Sequence, residues 1–139
     1  MLAFLERRGE VWTRGWIEGE VRRRAATAQD RLLTIFELFD EWFRRDDFEG
    51  CSFVNVMLDP ANRDSPVARA CVWQLERIRD VLRGFAADAG LHDVDNFAHA
   101  LQILMQGAIV HAAEGDVDAA RRAQSMARDL IDKHYPSER

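Results

Sequence analysis

The sequence predicts an all-α fold, and three of its features lead to that prediction. Apolar residues recur at helical spacing along most of the 139 residues. The alternating β-branched runs of strands, and the Asn-Gly or Asp-Gly pairs that close β-hairpins, do not occur. Only three prolines interrupt the chain, and two of them, Pro60 and Pro66, bound one short loop. We therefore expect six helices in a single domain of residues 1–139.

The first predicted helix covers residues 2–26 and contains three glycines. Gly9, Gly15 and Gly19 each cost about 1 kcal/mol relative to alanine in a helix interior. This helix therefore cannot depend on intrinsic propensity, and we expect it to be stabilised by packing and to bend.

A broad aromatic face marks the second predicted helix, residues 28–45. The segment FEGCSFVNVMLD, residues 48–59, follows it and has no charged residue over positions 51–58. A helix this short is marginal in water, so burial must stabilise it. Buried polar groups need partners. Ser52 and Asn55 within this segment should therefore bond to neighbouring backbone or line a cavity.

The last three predicted helices cover about residues 66–89, 93–114 and 116–134. Ser65 is a good N-cap for the first of them. The second is apolar around most of its circumference, which predicts burial on two sides. We expect the last two helices to pair with their symmetry copies as a dimeric four-helix bundle. The residues expected at that interface are Ala108, His111, Ala112, Ala119, Ala123, Met126, Ala127 and Leu130.

Composition narrows the class of protein. Hydrophobic residues make up 47% of the chain and charged residues 31%, as in ordinary soluble domains. Neither a run long enough to span a membrane nor a signal peptide is visible, so a cytoplasmic protein is expected. The net charge of −5 disfavours a nucleic-acid surface. Cys51 and Cys71 fit buried thiols in a reducing compartment.

Catalytic and metal-binding motifs are missing from the sequence. It contains no serine-hydrolase, zinc-protease or phosphate-loop motif, so we predict neither an enzyme nor a cofactor. The stretch HDVDNFAH, residues 92–99, gathers two histidines and two aspartates without the ligand spacing of a known metal site. Asp93 or Asp95 is better explained as the cap of a helix. His99 and His111 are expected on the buried fifth helix, as satisfied core residues or, less often, as ligand contacts.

Four stretches carry a family resemblance: LAFLERRGEVWTRGW, FELFDEWFRRDDFEGCSFVNVMLD, SPVARACVWQLERIRDVLRGFAADAG and LQILMQGAIVHAAEGDVDAARRA. In this order they resemble the C-terminal domain of TetR/AcrR-type transcriptional regulators. The resemblance implies a homodimer that binds a small hydrophobic or aromatic effector. It also implies that DNA is contacted only through an N-terminal helix-turn-helix domain, which is missing from these residues. The first helix would then connect the two domains.

The predicted effector pocket is mainly apolar with a few polar groups. Its members are Trp12, Trp16, Phe36, Phe39, Asn55, Met57, Trp73, His99, Gln102, Met105 and Gln106. Each aromatic residue could instead be part of the core. The alternative function is a stand-alone helical dimerisation module without a ligand.

Overall fold

The computed structural model describes residues 2–136, apart from the side chain of Leu5. Within this range the secondary structure is helical and contains no strand, which confirms the predicted all-α fold of six helices. The first helix is continuous but has three parts, and the others follow after short loops. The elements are α1 (Leu2–Glu10), a π-helical segment (Val11–Glu18), α2 (Gly19–Arg24), α3 (Ala28–Phe43), α4 (Ser52–Leu58), a single 3-10 turn (Pro60–Asn62), α5 (Pro66–Asp88), α6 (Val94–Ala113) and α7 (Ala119–Lys133).

The first helix widens over Val11–Glu18, where its backbone is π-helical. The N–H of Gly19 donates to the carbonyl oxygen of Arg14, five residues earlier. A Cβ at Gly19 would lie 3.1 Å from that oxygen, so glycine accommodates the wide turn. The sequence predicted a weakened helix here but gave no sign of the π-helical geometry.

The core lies where α3, α5 and α6 meet. α3 packs against α5, α6 and α7, while α5 also contacts α1 and α4. Ser65 caps α5 as predicted, because its Oγ accepts a hydrogen bond from the N–H of Ala68 at 3.1 Å. The largest fully buried side chains come from several helices and include Ile17, Phe36, Phe39, Ile78, Phe85, Phe97 and Leu101.

α1 approaches α5 closely at Gly9. A Cβ at this position would lie 2.1 Å from Oε1 of Gln74, a side chain that is itself almost fully buried. One residue further on, Glu10 Oε1 is 2.9 Å from Arg77 Nη1. This arginine holds the pKa of Glu10 below its usual range, mainly by hydrogen bonding. The lack of a side chain at Gly9 and the Glu10–Arg77 ion pair together define how α1 packs on α5.

The alanine stripe of α7 lies inside the protomer. Ala119, Ala123 and Ala127 are at most 5% exposed, since their small side chains let α7 pack closely against α3 and α6. Ala108 of α6 is buried as well. The protomer itself thus covers the four alanines that were predicted for a dimer interface, which leaves little of their surface for a partner.

Candidate effector site

Six aromatic rings form one cluster, called here the aromatic cluster: Trp12, Trp16, Phe39, Trp42, Phe43 and Phe48. Trp16 stacks on Phe39 with ring centroids 5.9 Å apart and planes 9° from parallel. Trp12 meets Trp42 edge-on at 6.1 Å. Both geometries are favourable for aromatic pairs. The cluster fastens the π-helical segment to the C-terminal half of α3.

A cavity of about 60 Å³, called here the indole-lined cavity, adjoins this cluster. It joins the end of α1 and the π-helical segment to the end of α3 and the start of α4. Its volume is well below the roughly 300 Å³ at which ligand pockets begin. A ligand must therefore displace a side chain to enter. The lining residues are Arg8, Trp12, Trp42, Gly50, Cys51, Ser52 and Phe53.

A larger cavity of about 360 Å³ lies at the other end of α4 and is called here the surface groove. All of its lining residues fall between positions 57 and 72, so it joins only the end of α4 to the start of α5. Two arginines and two aspartates balance its charge. The lining residues are Met57, Leu58, Asp59, Pro60, Arg63, Asp64, Ala68, Arg69 and Val72.

Two cavities and one buried side chain account for the lack of charged residues over positions 51–58. Residues 50–53 line the indole-lined cavity, and residues 57–59 line the surface groove. Phe53 of α4, which also lines the first of these cavities, is 4% exposed and attaches the short helix to the core. Burial also raises the pKa of the Cys51 thiol just before α4, so this side chain is neutral at physiological pH.

Two polar residues predicted for the pocket are engaged elsewhere. Asn55 is exposed, and its Nδ2 donates to the carbonyl oxygen of Glu49 at 3.4 Å. Gln102 is buried, where its Oε1 accepts from Arg79 Nε and its Nε2 donates to the Leu75 carbonyl, both at 2.9 Å. Neither side chain lines either cavity, so the structure gives no support to these two assignments.

Three further predicted residues lie on the surface. Trp73 is 52% exposed on α5, with the Arg77 guanidinium 4.9 Å from its ring centroid. His99 is exposed on α6, its Nε2 3.9 Å from Asp95 Oδ1, and His111 is exposed too. The expectation that both histidines are buried is wrong, because α6 buries only one of its faces.

The remaining predicted pocket residues are dispersed among the core, its half-buried edge and the two cavities. Phe36, Phe39 and Met105 are at most 1% exposed and fill the interior. Gln106 is half-buried beside the Cys51 thiol, and Trp16 belongs to the aromatic cluster. Only Trp12 lines the indole-lined cavity and only Met57 the surface groove. The eleven residues therefore do not converge on one pocket.

Sequence reasoning missed Arg8 and Trp42, which line the indole-lined cavity. Both could have been found from helical spacing. Arg8 precedes Trp12 by four positions and Trp42 follows Phe39 by three, so each lies on the same helical face as a predicted residue.

α6 carries an exposed apolar surface, called here the α6 outer face and defined by Ile103, Gly107 and Val110. Ile103 is 72% exposed and Val110 is 51% exposed. The three positions follow the i, i+4, i+7 spacing of one helical face. Met126 of α7 is 56% exposed, and Ala112 and Leu130 are half-buried. Exposed apolar residues grouped on one helical face commonly mark a binding surface.

Residues 2–136 bring together no group of three His, Cys, Asp or Glu side chains that could hold a metal ion. Their helices include none whose length and hydropathy would allow it to cross a bilayer.

The order of the helices is that of a known fold. A solved structure with a similar fold is the crystal structure of a TetR-family transcriptional regulator from Streptomyces coelicolor. The two structures agree with a TM-score of 0.85 over 97% of this chain and 71% of that one, at 18% sequence identity. This similarity establishes a TetR-like fold. No family model and no curated protein matches the sequence.

Proposed function

We propose that this chain is the effector-sensing and dimerisation domain of a TetR-like transcriptional regulator, with the indole-lined cavity as its effector site. One observation carries the proposal. The cavity is walled by residues far apart in the sequence, from Arg8 through Trp42 to Phe53. A ligand that enters it changes the position of the first helix relative to α3 and α4.

The surface groove is larger but suits this task less well. Ligand sites bury about 70–90% of a small molecule, and the groove is open along one side. Its walls come from two consecutive segments, so occupation would not reach the first helix. Trp12 and Trp42, by contrast, are half-buried side chains in the wall of the indole-lined cavity, and displacement of either would enlarge it.

Dimerisation is assigned to the α6 outer face. A two-fold interface presents the same patch from both subunits, so a helix can pair with its own copy. Ile103 and Val110 would be buried by such pairing, and Gly107 between them lets two backbones approach. This assignment replaces the alanine stripe of α7, which the protomer itself buries.

Ile103→Glu should convert the protein from a dimer to a monomer, because a symmetric interface would bring two buried charges together. Analytical ultracentrifugation should give the wild type twice the 16.0 kDa chain mass and the variant a single chain mass. Val117→Glu is the matched control, since Val117 is also about half exposed but lies before α7. A dimeric Ile103→Glu protein, or a monomeric wild type, would show that the interface is assigned incorrectly.

Compounds that fill the indole-lined cavity should raise the melting temperature. A ligand at a hundredfold excess over its Kd stabilises the native state by about 2.7 kcal/mol. The measurement is a thermal shift across hydrophobic aromatic compounds and fatty acids. A compound that acts in this cavity should lose its effect in Trp12→Ala and keep it in Trp73→Ala, whose tryptophan lies on the surface. If no compound shifts the wild type, the effector role is refuted.

DNA recognition is assigned to a part of the regulator other than these helices. The densest basic run, residues 22–24, is neutralised by acidic neighbours. Arg23 Nη2 is 2.7 Å from Glu20, Arg22 pairs with Glu18 at 3.8 Å, and Arg24 pairs with Glu20 and Glu41. Binding to DNA phosphates needs arginine or lysine side chains that can neutralise the phosphates and release the counterions of DNA. Arginines already paired with carboxylates are poorly suited to that role.

A helical dimerisation module without a ligand is the second candidate, and the tight interior favours it. Phe36, Phe39 and Met105, which were expected to line a pocket, are instead packed with at most 1% exposure. The two candidates share the dimer and differ in the thermal-shift experiment, where the module predicts no response to any compound.

A further inference from the structure

The indole-lined cavity has a distinctive charge. Arg8 supplies a permanent positive charge, and Cys51 is a neutral thiol. Among the described residues that line the cavity, none is a carboxylate. The surface groove differs, because Asp59 and Asp64 offset its two arginines. The indole-lined cavity therefore favours a negatively charged ligand.

The guanidinium of Arg8 is also available for a ligand. Within residues 2–136 it forms no ion pair, and its described contact is with the ring of Phe4, 5.5 Å from the centroid. Nearby arginines behave differently, since Arg14 and Arg77 both pair with Glu10. A guanidinium presents two parallel N–H groups that match the two oxygens of a carboxylate.

The remaining walls suit a flat ring. Trp12 and Trp42 offer two indoles on adjacent sides of the cavity, and Phe53 closes it from α4. Aromatic rings gain most from stacked or edge-on contact with such neighbours. Ser52, at the rim, makes no side-chain hydrogen bond with other described residues, so its hydroxyl can donate to a ligand oxygen.

We infer that the effector is a planar aromatic carboxylate, with its ring against Trp12 and Trp42 and its carboxylate on Arg8 and Ser52. This inference rests on the proposed function, because it names the chemical class of ligand for the same cavity. The ring is larger than the present cavity, so one of the two half-buried indoles moves when the ligand binds.

Naphthoate and its neutral amide, naphthamide, test the inference, because they share a ring system and differ in charge. Isothermal titration calorimetry should show that the wild type binds naphthoate at least tenfold more tightly. Arg8→Gln should remove that preference. Arg7→Gln, at the adjacent exposed position of α1, should retain it, and so should Arg69→Gln in the surface groove. Circular dichroism melting curves should show that the three variants remain folded.

Other outcomes separate the ligand class from the proposed function. Equal binding of the two probes, binding of neither, a preference that survives Arg8→Gln, or one that is lost in Arg69→Gln would each overturn the inference. The effector role itself survives these results if another compound of the thermal-shift panel stabilises the wild type and not Trp12→Ala. It fails if no compound of the panel stabilises the wild type more than Trp12→Ala.

Discussion

Ala127→Glu should unfold the protein, whereas Met126→Glu at the next position should leave it folded. Ala127 is completely buried in α7, and an unpaired charge there costs several kcal/mol. That cost is comparable with the roughly 5–15 kcal/mol that stabilises a typical domain. Circular dichroism should show a loss of helical signal and of the cooperative melting transition for Ala127→Glu.

Met126→Glu is a stringent control because it introduces the same side chain one residue away. Met126 is 56% exposed, so its replacement should change the melting temperature by only a few degrees. A folded, dimeric Ala127→Glu protein would contradict the burial of the α7 stripe. A folded but monomeric Ala127→Glu protein would return that stripe to the dimer interface.

Phe39→Ala should reduce the free energy of unfolding by about 3–5 kcal/mol, the usual effect of removing a buried phenylalanine ring. Phe39 is fully buried, and its ring contacts Trp12, Trp16 and Trp42 of the aromatic cluster. Urea denaturation followed by circular dichroism gives the change directly, provided that the m-value is unchanged.

Trp73→Ala provides the comparison, because Trp73 has a larger side chain that is mostly outside the core. Its contact with Arg77 is an exposed cation–π pair, worth about 0.5–1 kcal/mol. The loss in this variant should therefore be about 1 kcal/mol. A greater loss for Trp73→Ala than for Phe39→Ala would show that the aromatic cluster does not form part of the core.

Most of the fold could be predicted from the sequence because helix length and helix ends have local causes. The Ser65 cap is one such cause, and the observed bonds agree with it. The cap of α6 was predicted less well. Asp93 takes the N-cap position with a left-handed φ of 50°, and its side chain makes no capping bond. The turn from α5 to α6 sets the backbone conformation at Asp93. The spacing of residue types along the sequence does not reveal the conformation of that turn.

The site was harder to predict because the same residue pattern has two physical meanings. A stripe of alanines suits a dimer interface and suits close packing inside a protomer, and only the position of α7 on α3 and α6 decides between them. Likewise, the sequence alone suggests Gln102 as a polar ligand contact, whereas in the structure its side chain bonds to Arg79 and to the Leu75 carbonyl oxygen, both at 2.9 Å. Both distinctions depend on tertiary neighbours, which lie far away in sequence.

The π-helical segment Val11–Glu18 gives the first helix a rotational register that an α-helix of the same sequence would not have. A π turn accommodates one more residue than an α turn. If the segment relaxed to α-helical bonding, α1 would rotate by about 100° about the helix axis relative to α2. Gly9 would then no longer face Gln74, and Glu10 would leave Arg77. The position of Trp12 in the wall of the indole-lined cavity is therefore coupled to the orientation of α1.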